Sequence, residues 1–217
     1  MRREHTSSSI MPDVPFAEDL VFYAPLTEGD LTDHVSGETL IYPSGSVNWD
    51  STEQMYLFNK GLKSDEIYFP VNIYNAGVIQ QPYTIFADCK AETYAYYNYP
   101  PYVVIGGYSD TTSWRPSLAC SNNESSTTRG LRKKRLEVFQ NVNPYRSRYY
   151  IDETGVYNFC TESTSSSIQD PANWTSVMKS RVALNPTRDG NDIGYRVYLK
   201  DIRIYNRAFT TSEITLL

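Results

Sequence analysis

The sequence has no apolar run of eighteen residues, so it holds no segment of the kind that crosses a bilayer as a helix. Histidine is scarce: His5 and His34 are the two. A His-based triad or a zinc site therefore has almost no material. The three cysteines, Cys89, Cys120 and Cys160, lie far apart, which excludes a CxxC metal or redox site. That spacing is compatible with one disulfide and a free thiol, or with three buried thiols. Positive charge is short as well, with 20 Lys and Arg against 25 Asp and Glu and a formal net charge of −5. Phosphate neutralisation dominates nucleic-acid affinity, so a mildly acidic domain is a poor general binder of nucleic acid. No long stretch shows helical periodicity. The opening Met1–Ile10 carries positive charge with no apolar core behind it, and so is not a secretory signal. A protein starting there is expected to leave the cytoplasm by another route or inside an assembled particle. Its expected place is an extracellular or virion surface.

Aromatic bulk is what the chain does have: 19 Tyr, 8 Phe and 3 Trp, beside a hydrophobic content of 40%. Such rings fill a pleated surface and leave a polar tip for water or a ligand. The length of 217 residues suits one all-β domain, since such sandwiches run to roughly 200–250 residues. Residues 1–18 are polar, with Pro12 and Pro15, and read as an N-terminal arm; 19–217 read as one domain. Strands are expected near 20–26, 54–58, 67–73, 83–89, 102–105, 131–142, 148–151, 156–160 and 180–184. Pro70 marks its strand as an edge or a bulge. These strands, with turn clusters between them, argue for a two-sheet antiparallel sandwich.

The C-terminal stretch is the most informative. Ile193, Tyr195, Val197 and Leu199 share odd parity, whereas Ile202 and Ile204 are even. One extra residue near Lys200-Asp201 reconciles the two, which predicts a β-bulge there. Beyond the strand, Thr210 and Glu213 have capping-box spacing and predict a short helical turn.

Three segments then carry a resemblance. They are Leu20–Asp33, a strand followed by a turn and acidic residues; Tyr56–Gly61 with Ile67–Pro70; and Leu199–Ile214. Together they resemble the laminin G-like, concanavalin A-like lectin-glucanase jelly-roll family. Trp174–Val177 stands where the family has a Trp-bearing strand, and Tyr149–Gly155 looks like a displaced form of its next hairpin. The resemblance implies a two-sheet antiparallel jelly-roll sandwich and places any function in residues 91–180, where the pattern fades. Its enzymes use a Glu-x-Asp-x-x-Glu strand to put paired carboxylates on one face. That motif is missing, and Asp65-Glu66 and Asp152-Glu153 are adjacent pairs that diverge into turns. The implied role is a non-catalytic one.

Sugar recognition commonly uses exposed rings, because the apolar face of a pyranose stacks on them. Tyr94, Tyr96, Tyr97, Tyr99 and Tyr102 cluster around Pro100-Pro101, and Trp114 and Trp174 sit in polar surroundings. These seven are the candidate carbohydrate contacts, with packing against a sandwich edge or a neighbouring subunit as the plainer reading. Asp189, Asn191 and Asp192 supply hard oxygen donors for calcium, or simply a hairpin turn. His34 reads as a solvated loop residue. Arg129 and the Arg132–Arg135 run read as a solvated hairpin or, more pointedly, as a contact for an anionic glycan or a subunit. The expectation is a lectin-like domain binding carbohydrate or a surface glycoconjugate. The alternative is a structural surface or fibre protein of a phage virion or other large assembly, with homo-oligomer or virion partners. Nucleic acid and membrane insertion are not expected.

Overall fold

Period-two alternation sets the architecture of the computed structural model, which describes residues 13–40, 47–59, 79, 81–92, 101–104, 117–119, 131–163 and 196–217. Ten strands form among them. They are β1 (Leu20–Ala24), β2 (Val47–Asp50), β3 (Met55–Asn59), β4 (Tyr83–Glu92) and β5 (Pro101–Val104). After these come β6 (Ser117–Ala119), β7 (Lys133–Phe139), β8 (Arg146–Asp152), β9 (Gly155–Glu162) and β10 (Arg196–Tyr205). A single helical turn, α1 (Thr211–Ile214), follows. The fold is all-β: an eight-stranded antiparallel sheet ordered β2-β3-β10-β4-β7-β8-β9, with β1 also on β10, and a two-stranded sheet β5-β6. The expected strands at 67–73 and 180–184 lie outside the described residues. Strands β2 and β6 were not expected from the sequence; at four and three residues they are too short to show alternation.

Strand β10 organises the large sheet. Along one edge it pairs with β3 through Arg196–Leu199 and then with β1 through Ile202–Tyr205. Along the other it pairs with β4 throughout, and the register slips between Lys200 and Arg203, where the parity switch predicted a bulge. Asp201 sits at the slip with φ 58° and donates its N–H to Pro25 O at 3.0 Å.

The bulge keeps both halves of β10 in phase with the core. On the first face Leu199, Ile202 and Ile204 join Phe22, Ala24, Tyr56, Tyr83, Ile85, Ala87, Cys89 and Phe139 in one buried cluster. On the second face Tyr205 joins Leu20, Phe86, Leu136 and Val138 beneath Phe209, Ile214 and Leu217 of the C-terminal turn. Of the expected N-terminal arm, Val14, Phe16 and Ala17 pack against this second cluster, and Tyr205 OH donates to Pro15 O at 3.2 Å. Residues 1–12 lie outside the described residues. Arg207 ties the two chain ends together: it bonds Asp19 Oδ2 at 2.6 Å and Glu213 Oε1 at 2.7 Å, and it lies over the rings of Phe16 and Phe209. The capping box is present, with Thr210 and Glu213 each bonding the other's backbone N–H. Cys89 and Cys160 are free thiols.

Candidate functional site

Most of the residues singled out from sequence fall outside the described part of the protein. Tyr94, Tyr96, Tyr97, Tyr99, Trp114 and Trp174 do so, as do Asp189, Asn191 and Asp192. Tyr102 is placed in β5, with its backbone in the two-stranded sheet. Among the described residues no group of three or more His, Cys, Asp or Glu is arranged to hold a metal ion.

The Asp30–His34 loop is built for its own fold. Asp33 is fully buried and accepts from the N–H groups of Tyr23 (2.9 Å), Val35 (3.0 Å) and Ser36 (3.2 Å) and from Ser36 Oγ (2.6 Å). Its oxygens are thus taken up in fastening the loop to β1. His34 is not the solvated side chain expected from sequence. It is half-buried, bonds Asp30 Oδ2 at 2.7 Å and lies edge-on to Tyr23. Partial burial pushes the Asp30 carboxyl up, but the bonds from His34 and the Thr32 N–H outweigh it and hold the group below its ordinary range.

The basic run is also corrected. It is not a solvated hairpin: Lys133 and Arg135 are buried on β7, on the face that carries Phe139. Alternation sends Lys134 outward, where it donates to Leu217 O at 2.7 Å, while Arg132 makes a paired contact with Asp88. Arg129 lies outside the described residues. The same face of β7 and β8 holds a second ionic group. Glu137, fully buried, accepts from Arg146 through Oε2 at 2.7 Å and from Arg148 through Oε1 at 3.0 Å. Arg148 also points a nitrogen at Cys160 Sγ at 3.8 Å.

Beside this strip the β8–β9 hairpin builds an aromatic surface. Its register, Asp152 opposite Gly155, makes Tyr150 and Tyr157 direct cross-strand partners. Their rings stack with centroids 4.9 Å apart, and Phe159 stacks on Tyr150 at 5.9 Å. From the β7 side the Lys133 ammonium lies over the Tyr150 ring at 3.8 Å. A row of cation, ring and ring therefore crosses three strands and ends on Tyr157, which is 38% exposed.

The turn at the tip is fastened by its own polar groups. Asp152 Oδ1 accepts from Thr154 N at 2.9 Å and from Thr154 Oγ1 at 2.6 Å, and the Thr154 hydroxyl also bonds the Tyr157 hydroxyl. These bonds from Thr154 hold the Asp152 carboxyl below its ordinary range. Gly155 closes the turn at φ 140°, a conformation side chains rarely adopt. The hairpin and both its strands are visible in the sequence, but the row is not. It emerges only when the sequence is folded about Glu153-Thr154, which sets Tyr150 against Tyr157.

No protein-family model matches the chain, and no curated protein matches it in sequence. Solved structures do match. The binding domain of botulinum neurotoxin serotype C1 aligns over 92% of this chain with a TM-score of 0.57 and 9% identity. A Trypanosoma rangeli sialidase in complex with sialic acid aligns over 92%, with a TM-score of 0.58 and 13% identity. The binding domain of botulinum neurotoxin DC in complex with SialylT aligns over 92%, with a TM-score of 0.57 and 10% identity. The chain spans 51%, 32% and 50% of these three structures, respectively. At such identities the likeness shows a shared β-sandwich fold.

Proposed function

We propose that this chain is a non-catalytic, lectin-like domain that binds carbohydrate through rings displayed on its sandwich. The observation that carries the reading is the half-exposed Tyr157 ring, stacked on Tyr150, which is itself packed by Phe159 and Lys133. A fixed aromatic surface with polar groups at its margin is how proteins hold the apolar face of a sugar. The neighbours support a carbohydrate ligand: the sialidase structure is a complex with sialic acid and the neurotoxin DC binding domain a complex with SialylT, and this chain aligns with 32% and 50% of them. The laminin G-like resemblance is a finer form of the same proposal. In it Tyr94, Tyr96, Tyr97, Tyr99, Tyr102, Trp114 and Trp174 supply further ring contacts, and Asp189, Asn191 and Asp192 a calcium site. Glu137 supports the non-catalytic part: both its oxygens are engaged by arginines rather than left to serve a reacting bond.

A glycan array run with calcium and with chelator tests the proposal. Binding to a defined glycan set is expected, weakened about tenfold in Tyr157→Ala, the effect of removing one stacking ring. No binding in either condition, together with a stable trimer or larger assembly by light scattering, would overturn it in favour of a structural surface protein.

A further inference from the structure

We infer that the tip of the β8–β9 hairpin is a subsite for an uncharged pyranose, with Tyr157 as its stacking surface and Asp152 as the acceptor for its hydroxyls. This rests on the carbohydrate reading above and narrows it to a sugar class. Strand order fixes the direction of the row. Lys133 approaches Tyr150 from β7, and Tyr157 approaches it from β9, so the cation and the exposed ring lie at opposite ends. Lys133 is 9% exposed and lies one step beyond the Lys134–Ile151 pair, on the Asp152 side, so its buried charge helps keep the Asp152 carboxyl ionised from beneath while the ring end faces outward.

The groups at the exposed end are of the other sign. Asp152 and Glu153 are both exposed at the turn, with Thr154 next to them. Asp152 is positioned rather than loose, because Thr154 bonds it and bonds the Tyr157 hydroxyl as well. Neighbouring hydroxyls of a sugar can donate together to a carboxylate, and such charge-assisted bonds are the strong ones. A carboxylate on the ligand would instead meet two exposed like charges, against one buried cation beneath them. The subsite therefore favours neutral hexoses and disfavours sialylated ends, the opposite of the ligands held by the two neighbours described above.

Isothermal titration of the whole chain with matched oligosaccharides, neutral and sialylated, is the test. The neutral member of each pair is expected to bind, and its sialylated form to bind about tenfold more weakly. Asp152→Asn, a change at an exposed position, is expected to weaken neutral-sugar binding about tenfold and to narrow the gap between the pair. Tyr157→Ala is expected to weaken neutral-sugar binding by a similar factor, while Tyr157→Phe retains most of it. A preference for sialylated ligands, or unchanged affinities in Asp152→Asn, would overturn this inference and leave the carbohydrate reading standing. No binding of either member would overturn both.

Discussion

Single residues carry the geometry of the central strand. Asp201 adopts φ 58° at the bulge, and Arg203 holds its carboxylate with Nε at 2.7 Å and Nη2 at 2.5 Å. Burial works against the Arg203 charge, but the Asp201 contacts outweigh it and raise its pKa above the ordinary value. Burial likewise pushes the Tyr205 hydroxyl up to about 12, so it stays protonated at neutral pH and donates to Pro15 O. Left-handed backbone costs Asp little more than Asn and Gly nothing, whereas Ala there is strained by about 1–2 kcal/mol. Asp201→Gly loses the clamp alone; Asp201→Ala loses the clamp and adds strain. Urea unfolding is therefore expected to place the Ala variant about 1 kcal/mol below the Gly variant. Equal losses in the two would mean that the clamp, not the backbone, fixes the bulge. The position of the bulge was legible in sequence, because only an extra residue near Lys200-Asp201 turns both halves of the apolar pattern toward the core. Its clamp was not, since an Asp and an Arg two positions apart share a face in any regular strand and are brought together here by the slip itself.

Elements were legible where alternation and capping were both strong. β4, β7, β10 and α1 follow from their patterns, but the basic run that opens β7 was read as solvated, because Lys133 and Arg135 share a buried face with Glu137. A buried face made of charges looks solvated until its partners on β8 are known. The C-terminal turn gives the test at this scale. Its Glu213 carboxyl is held down to about 2 by the Thr210 backbone N–H, Arg207 and the Thr210 side chain. A carboxyl depressed in the folded state stabilises above its ordinary pKa of 4.5 and loses that contribution as pH falls toward about 2. The group is solvent-facing, so the contribution is modest. Melting temperature is expected to decline between pH 4.5 and 2, less steeply in Glu213→Gln, whose cap no longer titrates. Thr210→Ala is expected to cost about 1 kcal/mol at neutral pH, the usual value of an N-cap. Identical acid profiles for wild type and Glu213→Gln would show that the turn does not contribute to acid lability.

At the scale of the whole molecule, the first face of the large sheet changes character from one side to the other. Around β10 and β4 it is apolar, and across β7 and β8 it holds Arg135, Glu137, Arg146 and Arg148. This explains why the fold was easier to read than the candidate site. The apolar half announces itself along the sequence, while the aromatic row and the ionic group exist only across strands. It also predicts an unequal response to mutation. Removing one member of a buried ionic group leaves the others uncompensated and costs about 3–5 kcal/mol, against a total stability of about 5–15 kcal/mol for a domain. For a chain of this length that corresponds to a fall in melting temperature on the order of 10 °C. Glu137→Leu alone is expected to show it, because Arg146 and Arg148 would stay charged and lose a shared acceptor. The triple variant Glu137→Leu, Arg146→Met, Arg148→Met removes the two Glu137 pairs together while leaving Arg135 in place, and is expected to recover part of the loss, since an apolar group of similar volume needs no acceptor. Calorimetric melting of the two variants decides it. A triple variant less stable than the single one would mean that the arginines make their main contribution outside the Glu137 group, and that the polar half of this face is held together by a wider network.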